Sequence, residues 1–595
     1  MLKAQLYATL LLVMRCSGFR YTSLGRPRIV RTQEGHIRGY TSKSASGKEY
    51  VAFKGIPYAR PPVGELRFQP PQRHPGWRGV LDVKDHGSVC PQIDMTGNVT
   101  LVGDEDCLFV NVYSRKVRTW GSGVGRLPVM VFVHGGAFIR GSGNDRYYGP
   151  KYLMDEDIVL VTFNYRLGVF GFLTTYDAAA PGNYGLRDQV LLLQWVQDNI
   201  ASFGGDPKAV TIFGQSAGAA SASLLVLSPM TKGLFHHAIT QSGSALANFA
   251  ASGRKVGFTD ELAHKLGCYS TNTEAMVACL KKLPTQSLLA TATPDKHLYQ
   301  PRVDRDAARP LLPEDPRILL EKGQFHHVPW MQGVTKEEGW FFVPIVADDK
   351  QLSAGFAAGN VIAWGLVSDI LSSLDFNPLD CGADPMTEVH KVKKFYLGSE
   401  GHNTVSRLPI AQIISDRYFN APMAAEGNLA SRRSPVYRYV FEYKGPDRLF
   451  WENITRLNEF NTDPGHGDEL LYLFSQAELP LTKPGTPNYN MTRDMVSLWT
   501  SFARTGKPTS ESSAAPDWPI FTEQSQRHMR LDSNLTIGER LFEDRVEFWQ
   551  TIAVNEPWRH PVKPPCPQGR LAGGDNNIPD DLNRAFYGVL ITKFS

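Results

Sequence analysis

The sequence predicts an α/β fold: a large, mostly parallel central sheet flanked by helices, with long insertions between the elements. Three observations carry this reading. Leu127–Val133 (LPVMVFV) is a continuous apolar run, and residues 158–161 and 210–213 are two further short ones. Such runs suit strands buried on both faces, as parallel strands are. Between the last two, residues 186–200 have helical spacing that brings Leu191, Leu192, Trp195, Val196 and Ile200 to one side. Apolar strands alternating with helices imply a parallel sheet covered on both faces. The third run ends in Gly214-Gln215-Ser216-Ala217-Gly218 and passes into a small-residue helical stretch. That is the G-x-S-x-G pattern of a nucleophile elbow, a serine on a sharp strand-to-helix turn.

The other elements follow in order. Residues 28–40 alternate apolar and polar around Glu34-Gly35, as a hairpin would. Residues 53–71 (FKGIPYARPPVGELRFQPP) interleave aromatics with Pro and Gly and read as an ordered loop. Later strands are predicted at 238–240, 328–332 and 435–443. Residues 260–283 read as helical and tied by Cys268 and Cys279, residues 355–374 as an apolar helix, and residues 543–553 as a late helix. From 555 onward Pro, Gly, Asp and Asn dominate, the composition of a loosely packed tail. The expected organisation is a leader at 1–18, one α/β domain at 19–554 and a tail at 555–595.

A net charge of +4 over 595 residues gives no argument for nucleic acid or an anionic membrane as partner. Lys3, the apolar stretch 8–14 and the small residues at 17–18 resemble a secretory signal, with Arg15 leaving the cleavage point open. No later run is long enough to span a bilayer, and the final segment RAFYGVLITKFS suits neither a lipid anchor nor ER retention. Acceptor sequons begin at Asn98, Asn453, Asn490 and Asn534, which accords with export. Without the leader, Cys90, Cys107, Cys268, Cys279, Cys381 and Cys566 remain. The first four form two close pairs, each able to close a small loop worth on the order of 3 kcal/mol in an oxidising compartment. Cys381 and Cys566 either pair with each other or leave Cys566 free or joined to a second chain. No pair has the C-x-x-C spacing of a metal or redox site.

A serine nucleophile needs a base, an orienting acid and an oxyanion site. On a sheet with an elbow, acid and histidine are sought after the serine in the chain. His134-Gly135-Gly136-Ala137-Phe138 follows the first apolar strand, and its small residues let backbone N–H groups approach a developing oxyanion. The assigned donors are the amides of Gly136, Ala137 and Ala217. Among the later histidines, His466 lies in the glycine-flanked loop DPGHGDE and is the leading base. The adjacent pairs at 236/237 and 326/327 invite a metal reading, but neighbours on a strand point to opposite faces, so no metal is expected. For the acid, GVTKEEG follows a predicted strand, and spacing does not choose between Glu337 and Glu338.

The chain resembles the type-B carboxylesterase and cholinesterase family of α/β-hydrolases. The likeness runs over residues 27–553 through FKGIPYARPPVGELRF, EDCLFVNVY, VFVHGGAF, NYRLGVFGFL, GNYGLRDQ, FGQSAG, GLFHHAITQSGS, GVTKEEG and GHGDELLYLF, in that order. The resemblance implies Ser216, Glu338 and His466 as the catalytic residues and Cys90–Cys107 and Cys268–Cys279 as disulfides. It also implies structural ion pairs Arg67–Glu105 and Arg166–Asp188, a small-molecule ester as substrate, and no cofactor. The loop PQIDMTGNVTLVGDED lacks the tryptophan on which cholinesterases stack a quaternary ammonium, and QSGSALANFA lacks an acyl-pocket tryptophan, which argues against choline esters. Gln215, where most members have glutamate, resembles insect juvenile hormone esterases, as do Arg67-Phe68 and Asp188-Gln189. Asp463, where those have glycine, departs from them. The expected function is a secreted carboxylesterase of insect type. The alternatives are a juvenile hormone esterase-like specificity or a non-catalytic, neuroligin-like binding module, whose loss of the serine and continuation into a membrane span this chain does not share.

Overall fold

The computed structural model describes residues 28–94, 100–117, 125–251, 258–292, 299–343, 385–398, 407–446, 463–511 and 515–552. The leader, the predicted helix at 355–374, Cys381, Cys566, Asn98, Asn453 and the tail all lie outside them.

The three apolar runs become neighbouring strands. Those of the main sheet are β1 (Arg28–Arg31), β2 (His36–Lys43), β3 (Glu49–Pro57), β4 (Phe109–Ser114), β5 (Leu127–Val133) and β6 (Val159–Phe163). They continue with β7 (Gly205–Gln215), β8 (His237–Gln241), β9 (Trp330–Thr335), β10 (Val436–Phe441), β11 (Arg527–Leu531) and β12 (Thr536–Glu539). They lie in the order β1-β2-β3-β4-β6-β5-β7-β8-β9-β10-β11-β12, with the short strand Val80–Asp82 beside β2. From β6 through β11 every neighbouring pair is parallel. The N-terminal strands and β12 add antiparallel edges. This is the α/β-hydrolase architecture, a mostly parallel sheet with an antiparallel start.

Alternation across β5 explains why its sequence is apolar throughout. Val129, Val131 and Val133 face a core shared with α1 (Tyr184–Asn199) and α2 (Ala217–Leu227). Met130 and Phe132 face a second core on the other side of the sheet, with Trp499 and Phe502 of the helix Pro487–Thr505. Helix α2 is buried along its whole length. Its small residues let it lie close to the sheet: a Cβ on Gly218 would stand 2.0 Å from the Val133 carbonyl oxygen.

Two expectations need correction. Residues 260–283 are not one helix but α3 (Phe258–Lys265) and α4 (Thr273–Lys281), parted by Gly267 at φ 70° and restarted by Asn272, whose side chain accepts from the Ala275 amide at 3.0 Å. Glycine in the left-handed region ends a helix, and an Asn N-cap begins the next. The stretch 53–71 is not all loop, since its first residues close β3. The disulfides Cys90–Cys107 and Cys268–Cys279 are both formed. Arg67 is bidentate to Glu105, at 2.8 and 2.5 Å, and also donates to the Leu283 carbonyl at 2.7 Å, tying the first disulfide loop to the end of α4.

Candidate active site

Register decides what meets at the sheet edge. Gly214 pairs with Val133, Gln215 with Gln241, and Gln241 with Gly333. The residues just beyond the C-terminal ends of β5, β7, β8 and β9 therefore fall side by side, where open α/β sheets carry their sites.

Ser216 sits at φ 60° and ψ −128°, outside the regions open to ordinary L-residues. The strain persists because both flanks are fixed: the Ser216 amide donates to the Gln241 carbonyl at 2.9 Å, and the Ser216 carbonyl accepts from Ala220 at 2.9 Å. Helix α2 starts at the next residue, so its positive end faces the serine. Against this elbow lies the turn after β5. A Cβ on Gly135 would stand 2.7 Å from the Gln215 carbonyl oxygen and 3.1 Å from Ser216 Cβ, so only glycine permits the approach. Gly136, Ala137 and Phe138 all have positive φ, at 109°, 54° and 63°. The amides of Gly136, Ala137 and Ala217 donate to no group among the described residues. Three amides without a partner among the described residues thus lie on the two turns that meet at Ser216.

His466 Nδ1 lies 2.6 Å from Glu338 Oε2, and the His466 amide donates to the Glu338 carbonyl at 3.3 Å. Glu338 is wholly buried, and its Oε1 accepts from Ser242 Oγ and from the Thr335 amide, each at 2.6 Å. A carboxylate so held orients the imidazole with its proton on Nδ1. At the other ring nitrogen, Gln215 Nε2 approaches His466 Nε2 at 3.1 Å, which matches an amide donating to a free lone pair. Ser216 Oγ makes no hydrogen bond among the described residues. Resting serine–histidine contacts are often loose and tighten with substrate. Phe341, Phe342 and Phe419 ring the imidazole at 5.7, 5.8 and 4.6 Å, and His466 and Glu338 are both buried. The neighbouring Glu337 turns the other way, to Arg545 at 3.3 Å and Ser415 at 3.4 Å, and burial pushes it up to about 7.

The remaining histidine pairs sit elsewhere. His237 opens β8, and His326 and His327 precede β9, so they occupy the edge of the sheet opposite Ser216. Among the described residues no group of three or more His, Cys, Asp or Glu is placed to hold a metal ion.

Three polar residues of the site went unread in the sequence: Ser242, Glu469 and Gln92. Ser242 lies inside the QSGS motif, and Glu469 is the one acid within an otherwise apolar ELLYLF, a signal of a buried charge. Glu469 accepts from Gln241 Nε2 at 3.1 Å, while its Oε2 has no partner among the described residues. Burial first, then the nearby charge of Glu338, pushes it from 4.5 to about 8. The folded state thus keeps a proton that the unfolded chain has released, and stability falls as pH rises from about 4.5 to about 8. The slope reaches about 1.4 kcal/mol per pH unit. Glu469→Gln removes it. Urea midpoints are therefore expected to shift in favour of the variant between about pH 5 and about pH 8, and a constant gap would contradict the assignment.

The sequence matches the model of the carboxylesterase family over residues 26–549. The chain belongs to the carboxylesterase family. Similar proteins include a carboxylic ester hydrolase of Bombus ignitus, 34% identical over 92% of this chain and 98% of that protein. The juvenile hormone esterase of Tribolium castaneum is 34% identical, covering 89% and 95%, and venom carboxylesterase-6 of Apis mellifera is 35% identical, covering 89% and 94%. In this carboxylesterase-family member an elbow serine, amides without a partner among the described residues and a buried carboxylate–imidazole pair lie at one edge of the sheet. No helix among the described residues is long and apolar enough to cross a membrane.

Proposed function

We propose that this carboxylesterase-family protein is a secreted serine esterase that hydrolyses small carboxylic esters through an acyl-enzyme on Ser216. The observation that carries the reading is the strained Ser216 flanked by the unpaired amides of Gly136, Ala137 and Ala217, with the His466–Glu338 pair reaching the same edge. His466 Nε2, released by Gln215, takes the hydroxyl proton as Ser216 Oγ attacks the ester carbonyl. The tetrahedral oxyanion is held by the three amides, and Glu338 stabilises the imidazolium. His466 then protonates the leaving alcohol, and water repeats the sequence on the acyl-enzyme, returning the acid and free serine.

Secretion is supported by the leader-like N-terminus, by the two disulfides and by sequons on exposed ground: Asn534 lies in the turn between β11 and β12, and Asn490 is exposed on the helix Pro487–Thr505. Asn98 and Asn453 are the further proposed glycan sites. A juvenile hormone ester is the second substrate class to test, favoured by Gln215 at the elbow and by the similarity to the Tribolium esterase.

The test is initial-rate hydrolysis of chromogenic esters, from acetate to long acyl chains, by the wild type and Ser216→Ala. Turnover that the substitution lowers about 10⁴-fold or more establishes the serine mechanism. A folded wild type with no turnover above the variant on any ester would overturn it in favour of a binding module.

A further inference from the structure

The turn that presents Gly136 and Ala137 is not held by the sheet alone. It closes on itself: the Gly136 carbonyl accepts from Ile139 and Arg140, at 3.0 and 3.1 Å, and the chain returns to its start at Gly141. A Cβ there would stand 2.5 Å from His134 Nδ1 and 2.6 Å from the Gly135 carbonyl oxygen. His134, kept neutral by burial that pushes it down to about 4, lies with Nδ1 2.8 Å from the Gly135 oxygen. With that carbonyl bonded on one side, the trans peptide turns the Gly136 N–H to the other.

The returning residue, Gly141, is clamped from outside by one side chain. Its amide donates to Gln92 Oε1 at 2.8 Å, and its carbonyl accepts from Gln92 Nε2 at 3.0 Å. The same Nε2 donates to the Cys90 carbonyl at 2.9 Å. Gln92 therefore pairs with both backbone groups of Gly141, as a neighbouring strand would, and is itself 8% exposed. It stands on the loop closed by Cys90–Cys107, where it pairs with Val102, and Glu105 of that loop is anchored by Arg67.

We propose that Gln92 is a positioning residue for the oxyanion turn, setting the amides of Gly136 and Ala137 by clamping Gly141 to the disulfide loop. The inference rests on the esterase reading above. Gln92 touches no reacting atom; it holds the far end of a turn whose three successive positive-φ residues would otherwise relax. Because such amides act on the charge that develops in the transition state, loosening them lowers turnover more than substrate binding.

The test compares the wild type with Gln92→Met, which keeps size without polar groups, and Gln92→Glu, which keeps only the acceptor for the Gly141 amide. Rates are divided by the number of active sites titrated with a fluorophosphonate, so loss of folded protein does not count. For Gln92→Met, kcat per site on a short ester is expected to fall at least about tenfold with KM within about twofold. Inhibition by a trifluoromethyl ketone, whose serine adduct carries the oxyanion, should weaken by the same factor. Gln92→Glu should fall between the two and carries the test if Gln92→Met does not fold. Unchanged kcat per site and unchanged ketone affinity in either variant would overturn the proposal. Wild-type turnover that survives Ser216→Ala would overturn the esterase reading instead, which separates the two failures.

Discussion

His466→Ala, in a protein that remains folded, is expected to lower kcat about 10⁴-fold with little change in KM. In the proposed mechanism the ring moves a proton rather than binding substrate, and without it no group is placed to accept the Ser216 proton. The residual rate expected on the proposed mechanism is that of the amides of Gly136, Ala137 and Ala217, which the substitution leaves in place. If serine and histidine act as one unit, as proposed, the double variant with Ser216→Ala should be about as slow as either single one, not about 10⁸-fold down. Glu338→Gln should lose a comparable factor by a different route. An amide at that position can donate to Nδ1, which moves the ring proton to Nε2 and removes the lone pair the serine needs. Single-turnover rates of His466→Ala, Ser216→Ala, the double variant and Glu338→Gln check this. Losses that multiplied, or a Glu338→Gln variant near wild-type speed, would show that the carboxylate–imidazole pair does not serve Ser216.

The largest stability effect is expected away from the chemistry, at Arg166 and Asp188. Both are buried, and Arg166 meets Asp188 through Nε and Nη2 at 2.8 and 2.7 Å, with the Arg166 amide adding a third contact at 3.0 Å. Asp188→Ala leaves a guanidinium in the interior with the Gln69 carbonyl, at 2.8 Å, as its remaining hydrogen-bond acceptor among the described residues. Breaking one side of such a pair costs about 3–5 kcal/mol, since the other charge stays desolvated. Replacing both, as Arg166→Met with Asp188→Leu, should cost less than the single change. The exposed Arg38–Asp82 pair has a similar distance of 2.9 Å, but with side chains 37% and 51% exposed it is worth under about 1 kcal/mol. Urea midpoints of Asp188→Ala, the double variant and Asp82→Ala should fall in that order of damage, the first lowest. Equal midpoints would mean that burial does not decide the matter.

Much of the fold was legible because its signals are local. The run Leu127–Val133 matches β5 residue for residue, since a strand buried on both faces takes mostly apolar side chains. The elbow was legible because its glycines are demanded by backbone collisions that any such turn would have. The hairpin at Glu34-Gly35 and helix α1 were read from period alone, and the ends of β7 and β9 were misjudged because edges are set by neighbouring strands. The break between α3 and α4 was missed because helical spacing on both sides of Gly267 outweighed one glycine.

Period, turn chemistry and the G-x-S-x-G pattern were enough to place a parallel sheet and a serine at its edge. They could not say which glutamate faces His466, because Glu337 and Glu338 are alike locally. The choice is made by a contact spanning 128 residues, with Arg545 drawing Glu337 away. Nor could they show that Gln92, within the first disulfide loop, clamps a turn 49 residues later, or that Gln215 reaches across 251 residues to the imidazole. Local preference acts within a few residues of the chain, whereas these partners are brought together only when the sheet stacks distant strands in register and burial forces each polar group to find one.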